Sequence, residues 1–374
     1  MKASPPRPLP SKATMTRRAP RTALAAFLPI FLPCAAGAEP ATRPVPVTVV
    51  TTLTTGSGQI RQFAFDGDPG TSFVSAENPT ADDHFTLVFD RPVSLKSVAV
   101  LTGHHDGRDP LDAGALEVSA DGKAFARLAG FDGGAARATP GGKEVQAVRV
   151  TGFAGAGRTR PLAIREFTVE SDPPVPVFAY PVEFTVDVSD APGMRGWAEE
   201  VARLCERWYP RLNEELKSDG YRPARRITMT LSRRYRGVAE ADPGAGRILG
   251  SVRFFQAHPE DVGAMIHETT HVVQNYRGRN NPGWLVEGLD DYVRYYLFEP
   301  GRNRPVDPAR ARHDAGYGVS AAFLAYVINT YEKNLVSKLN TLMREGHYTD
   351  EVFRELTGKA LPELDREWRD SLRR

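Results

Sequence analysis

At 374 residues the chain has room for two domains and a targeting segment, and its near balance of 48 basic and 46 acidic side chains gives no basic field for a nucleic-acid partner. Its two cysteines exclude an intrachain disulfide scaffold, because Cys34 falls in the leader and leaves Cys205 alone.

Arg17, Arg18 and Arg21 precede an apolar run from Ala23 to Leu32, and Ala36-Gly37-Ala38 follows it. This layout predicts a signal peptide at residues 1–38, cleaved after Ala38; the apolar run is too short for a transmembrane anchor. The leader holds six cations and no acid, so its loss turns the net charge of +2 into −4. The mature chain is therefore expected to be secreted, extracellular or periplasmic, with no affinity for nucleic acid. Residues 39–46 are rich in Pro and Ala and read as a linker.

Residues 47–171 carry the pattern of an all-β sandwich. Phe85 to Phe89 and Val93 to Leu101 alternate or run apolar. Asp121-Gly122 between Leu116-Glu117-Val118 and Phe125 to Leu128 predicts a hairpin, and Val145 to Phe153 and Leu162 to Val169 supply further strands. The segment Ala64-Phe65-Asp66-Gly67-Asp68-Pro69-Gly70-Thr71-Ser72-Phe73, the hairpin near Gly122 and the closing Ile164-Arg165-Glu166-Phe167-Thr168-Val169 resemble the discoidin-like, coagulation-factor C-type module. The resemblance implies a jelly roll whose end loops bind glycans, phospholipid heads or proteins, and hence a glycan or cell-surface ligand. His104-His105-Asp106 with Arg108 is the most polar loop and reads as solvated; acids in the Asp66 to Thr71 turn are commonplace and assign no calcium.

A Pro-rich hinge at residues 172–177 separates this pattern from a different one at 178–374, and such a boundary predicts two independently folding domains. Val182 to Val188 and Ile227 to Leu231 read as strands. Met194 to Leu216 reads as a helix with the stripe Trp197, Val201, Leu204 and Trp208, buried Cys205 beside it and a kink or break at Pro210. Pro259-Glu260-Asp261 looks like the start of the next helix, whose apolar run leads to His267-Glu268-Thr269-Thr270-His271.

Two histidines at i and i+4 lie on one helix face and can grip one Zn²⁺, while Glu268 reaches a metal-bound water as general base. Zinc needs a third protein ligand. Pro282 to Tyr292, read as a helix, places Glu287 and Asp291 one turn apart on one face. Glu287 is the candidate third ligand, and Asp291 the candidate acceptor for the ring N–H of His267. After Ser320 the apolar positions Phe323, Leu324, Val327, Leu335, Leu339, Leu342, Phe353, Leu356 and Trp368 predict packed helices.

The run Phe254-Phe255, His258 to Asp261, His267 to Tyr276, Glu287-Gly288 and Asp291-Tyr292-Val293-Arg294 resembles the basic secretory proteins of plants and bacteria. Gly316 to Leu324 matches a further segment of that family, with Gly318 and Ser320 where Asp and Thr are usual. The resemblance covers roughly Val182 to the C-terminus and implies an α+β zincin-type metallopeptidase domain. In that architecture the stretch Ile248 to Phe255 forms the edge strand over the cleft. Tyr317 becomes the candidate second electrophile, with a packed tyrosine as the alternative and Tyr292 as a weaker candidate. Asp290 stands where the family often has alanine. It adds charge beside the site and points about 100° away from Asp291 on the helix, so its loss is expected to matter much less.

The fold expected is thus an all-β jelly-roll sandwich followed by an α+β zincin domain. The function expected is a secreted zinc endopeptidase acting on an extracellular protein or peptide and tethered by its β-module. The competing reading is a non-enzymatic glycan-binding or adhesive protein with a vestigial zinc site.

Overall fold

Alternating apolar side chains build the first domain in the computed structural model, which describes residues 43–56, 58–153, 160–276 and 280–373; the expected signal peptide and residues 39–42 of the linker lie outside them. The strands are β1 (Val47–Thr51), β2 (Phe73–Val74), β3 (His84–Thr102), β4 (Ala115–Ser119), β5 (Ala126–Gly130), β6 (Ala135–Ala138), β7 (Lys143–Thr151) and β8 (Ala163–Asp172). All pairs are antiparallel, and β3 is the spine. Its first half pairs with β1 and β7, its second with β6 and β8. The β3–β7 register shifts between Val88 and Val93, where Pro92 has no N–H to give the ladder. Phe85 of the first half sits 5.0 Å from Phe73 and 5.8 Å from Phe167 of β8, ring centre to ring centre, and so joins the layers. The Asp121-Gly122 turn forms as its residues demand: Gly122 has φ 70°, and Asp121 Oδ1 accepts the N–H groups of Lys123 and Ala124 at 2.9 Å.

The second domain has a four-stranded sheet in the order β11-β12-β10-β9. Strands β9 (Glu183–Asp187), β10 (Arg226–Ser232) and β12 (Arg247–Ser251) are parallel, and β11 (Ala239–Asp242) is antiparallel to β12. A parallel pair needs a crossover, and helix α1 (Arg195–Glu215) supplies it between β9 and β10. It buries Ala198, Val201, Ala202, Cys205, Tyr209 and Leu212, spaced to form one stripe. The helix continues through Pro210 because Tyr209 and Leu212 hold the turns on either side against the same core. Burial pushes the Cys205 thiol up to about 12, as suits a packing residue.

The stretch Ile248 to Phe255 is not the edge strand. Its first part lies in β12, between β10 and β11, and its second part is helix α2 (Val252–Ala257), capped by Ser251 Oγ accepting the Phe254 N–H at 3.3 Å. The edge over the cleft is β11. Nor does the next helix begin at Pro259. Residues 258–262 form a turn, and α3 runs Gly263–Gln274. Then come α4 (Gly283–Tyr292), which runs on into a π-helical turn at Val293–Phe298, and α5 (Tyr317–Thr330), α6 (Leu335–Glu345), α7 (Glu351–Thr357) and α8 (Leu361–Ser371). Phe323, Phe353 and Trp368 close the core beneath them.

The outer edge of β9 is filled by side chains. Gln62 Oε1 accepts the Val182 N–H at 2.8 Å, and Glu206 Oε1 of α1 accepts the Phe184 N–H at 2.7 Å. The Phe184 carbonyl accepts from Arg61 at 3.2 Å and from Arg203 at 2.7 Å. Arg61, from the β-domain, also pairs with Glu183 at 3.1 Å and with Glu206, and Thr55 donates to Glu183 at 2.6 Å. Both carboxylates are at most 4% exposed. This changes the expectation of independent folding, because a chain without the β-domain leaves two buried acids without the Arg61 cation. Arg61→Ala is expected to cost about 3–5 kcal/mol, the usual effect of stripping one partner from a buried ion pair, seen as a lower Tm. A chain starting near Val177 should melt lower still; an unchanged Tm in both would show that the junction carries no stability.

Candidate metal centre

Helix α3 places His267 and His271 one turn apart, and their rings lie 4.9 Å apart at 83°. The motif sits deep in the core. Thr269 and Thr270 are wholly buried, and their hydroxyls donate back along the helix to the carbonyls of Met265 at 2.7 Å and Ile266 at 2.8 Å. The helix ends at Asn275, whose left-handed backbone (φ 45°) lets its N–H reach the His271 carbonyl at 3.1 Å. Its start is held from the π-helical turn. Arg294 pairs there with Asp261 and, at 2.7 Å, with Glu299; a Cβ on Gly263 would collide with Glu299 and lie 2.9 Å from Arg294 Nε.

Helix α4 brings Glu287 across. Its Oε2 lies 3.3 Å from Nε2 of His267 and 3.6 Å from Nε2 of His271. Donors held on one tetrahedral ion at about 2.0–2.2 Å lie about 3.3–3.6 Å from one another, so this set fits a metal. The Nδ1 of His267 lies 2.8 Å from Oδ1 of Asp291. The structure therefore brings together His267, His271, Glu287 and Asp291 as the helix reading places them. Glu268, 8% exposed, lines the same cleft of about 1310 Å³.

Tyr317 lies at the first position of α5 with φ 45°, next to Gly316 at φ 82°. A non-glycine residue there costs about 1 kcal/mol or more. Its ring faces that of His267 at 6.4 Å and 21°, and 61% of the residue is exposed, so it is not a packed tyrosine. The start of α5 is pinned by Ser320 Oγ, which accepts the Gly316 N–H at 3.0 Å and donates to the His313 carbonyl at 2.6 Å. Helices α4 and α5 touch at Gly288, where a Cβ would come 2.9 Å from Ser320 Cβ. Glycine next to Glu287 thus lets the Tyr317 helix approach. Tyr292 stacks instead on Tyr296, outside the lining of the cleft.

The sequence reading missed two partners of His271. Asp290 is wholly buried, with Oδ2 2.8 Å from Nδ1 of His271, so it does not point away from the site but faces that ring. Gln274, 1% exposed, accepts at the same nitrogen through Oε1 at 3.1 Å, and its Nε2 donates to the Val286 carbonyl at 3.2 Å, which fixes the amide's orientation. Asp290 belongs to the cluster of acids and imidazoles that can hold a metal, but it faces the nitrogen of His271 that points away from Glu287. It is therefore an outer partner of that cluster.

The electrostatics follow from this packing. Burial alone would lower the His267 imidazole, but hydrogen bonds to Asp291 and Glu287 hold it at about 9. Burial also opposes the charge on His271, and the Asp290 carboxylate lifts it well above the ordinary value. Burial would raise Glu287, yet its bonds to the two histidines bring it down to about 2. Burial raises Glu268.

Residues 198–369 match the family BSP, described as peptidase of plants and bacteria. A comparison with curated proteins found no match. Among solved structures, the chain is similar to the module CBM32-1 of a family 31 glycoside hydrolase from Clostridium perfringens, at 18% identity over 34% of this chain and 97% of that one, with a TM-score of 0.29. It is similar to the C-terminal domain of a chitobiase from Bacteroides fragilis at 18% identity, over 35% of this chain and 96% of that one, with a TM-score of 0.28. A chitosan-binding module of a chitosanase/glucanase from a Paenibacillus species matches at 21% identity, over 33% of this chain and 93% of that one, with a TM-score of 0.29.

With both imidazoles raised, the metal-free protein should hold them protonated at neutral pH, and a metal must expel those protons. Apparent affinity should fall about 10- to 100-fold per unit as the pH drops below about 9, one decade per proton. Calorimetry in buffers of different ionisation enthalpy counts the protons; none released at pH 7 would show neutral rings. Without metal, the raised His267 stabilises the fold fully below pH 6.5, and that contribution is lost as the pH rises through about 9.

Proposed function

We propose that this chain, whose residues 198–369 match the peptidase family of plants and bacteria, is a secreted zinc endopeptidase tethered to its target by the β-sandwich. The observation that carries the reading is the meeting of His267 Nε2, His271 Nε2 and Glu287 Oε2 in an open cleft with Glu268 beside them. Two imidazoles and one carboxylate are a donor set suited to zinc that leaves a coordination position for substrate or water. When bound, zinc supplies Lewis acidity and lowers the pKa of its water.

The side chains supply the rest. Asp291 accepts the Nδ1 proton of His267 and leaves Nε2 as the donor. Glu268 accepts the proton of the attacking water and passes it to the leaving amine; burial raises its carboxyl toward the range such a shuttle needs. The Tyr317 hydroxyl donates to the oxyanion that forms on the scissile carbonyl. The negative charge of Glu287 raises its pKa, so it stays a donor.

An extended peptide can lie along β11, which among the described residues pairs only with β12, and whose residues Ala239 to Ala241 line the cleft. Strand addition of this kind reads the middle of a chain, which supports internal cleavage. The tethering role of the β-sandwich rests on its sequence resemblance to discoidin-like modules, with a glycan or cell-surface ligand. Secretion rests on the leader sequence; no described helix is long and apolar enough to cross a membrane.

The purified chain should carry about one zinc, and a chelator should abolish cleavage of a denatured protein mixture. Glu268→Gln should keep the metal and lose about 10²- to 10⁴-fold in kcat. Full zinc without any cleavage by the wild type would favour the vestigial site instead. Tyr317→Phe should lower kcat about 10²-fold with KM nearly unchanged. A rise in KM alone would make Tyr317 a substrate contact with no part in the chemistry.

A further inference from the structure

Asp290 is a wholly buried carboxylate for which the mechanism above has no use. Among the described residues no lysine or arginine pairs with it, and its one ionic neighbour within 4 Å is Nδ1 of His271, at 2.8 Å. Neither of its oxygens has a well-directed hydrogen bond, while Gln274 Oε1 does accept at that nitrogen, at 3.1 Å. An acid buried without a cation is costly unless the group it faces needs a negative charge.

The geometry points to Asp290 as a positioning residue for metal capture: Gln274 Oε1 accepts the Nδ1–H of His271, and the Asp290 carboxylate, 2.8 Å from that nitrogen, gives the ring the negative charge that Asp291 gives His267. Each ligand histidine then has its own buried carboxylate. The pairing fixes both tautomers with Nε2 free, strengthens both nitrogens as donors, and adds a second outer negative charge that favours a divalent cation. Adjacent positions on α4 serve both rings because the rings are a full turn apart on α3. This inference rests on His267, His271 and Glu287 being the metal ligands.

The test uses the full chain and Zn²⁺ alone, with affinity and release rate read by competition with a chromophoric chelator. The visible spectrum of the Co²⁺-loaded protein reports the ligand geometry. Asp290→Ala should bind zinc about 10- to 100-fold more weakly and shift the Co²⁺ bands. Asp290→Asn is nearly isosteric and keeps an acceptor, so it should recover part of that loss, and it carries the test if the alanine variant does not fold. Wild-type affinity in both variants would overturn the inference. So would a lower Tm in both with zinc affinity and Co²⁺ spectrum unmoved, since Asp290 would then serve only the fold. A His267→Ala, His271→Ala double variant that still binds zinc like the wild type would overturn the metal centre itself, a separate failure.

Discussion

Three donor atoms on two helices must meet within 4.8 Å of one another inside a hydrophobic core. The two imidazoles come from one face of α3 and the carboxylate from α4, and Glu268, Asp290 and Asp291 crowd the same volume. So many carboxyls share a small buried space only because each faces a ring nitrogen or the open cleft. The surrounding fold serves that arrangement. Thr269 and Thr270 return their hydroxyls to the helix, Arg294 ties the start of α3 to the turn after α4, and Gly288 lets α5 come close enough for Tyr317 to face His267.

What could be read from the sequence followed the reach of each signal. His267 and His271 lie on one helix and Glu287 and Asp291 on another, so helical periodicity alone aligns each pair. Asp290 escaped because periodicity gives a direction around its own axis and says nothing of what stands there. One residue away from Asp291 is away from His267, but it is toward His271. Gln274, one turn past His271, carried a local signal: an amide in an otherwise apolar helix end, three residues from a candidate ligand.

The strand over the cleft failed for a related reason. Ile248 to Phe255 is apolar nearly throughout, which is the mark of a strand covered on both sides, and β12 is indeed interior. The edge is the short segment Ala239–Asp242, whose alternate half-buried and exposed residues include two acids. Arg61 and Gln62 had no local signal at all. Their partners are more than a hundred residues away, and only the folded junction shows that they complete a strand of the other domain.

That junction bears on where an extended chain can dock. An open β-sheet has two edges, and each offers unpaired backbone groups to any extended chain that passes. Here one edge is stoppered by Arg61, Gln62, Arg203 and Glu206, while the other runs beside His267, His271 and Glu268. An extended chain that docks on this sheet is thereby directed to the edge beside the candidate metal centre, because the far edge is already occupied at Val182 and Phe184.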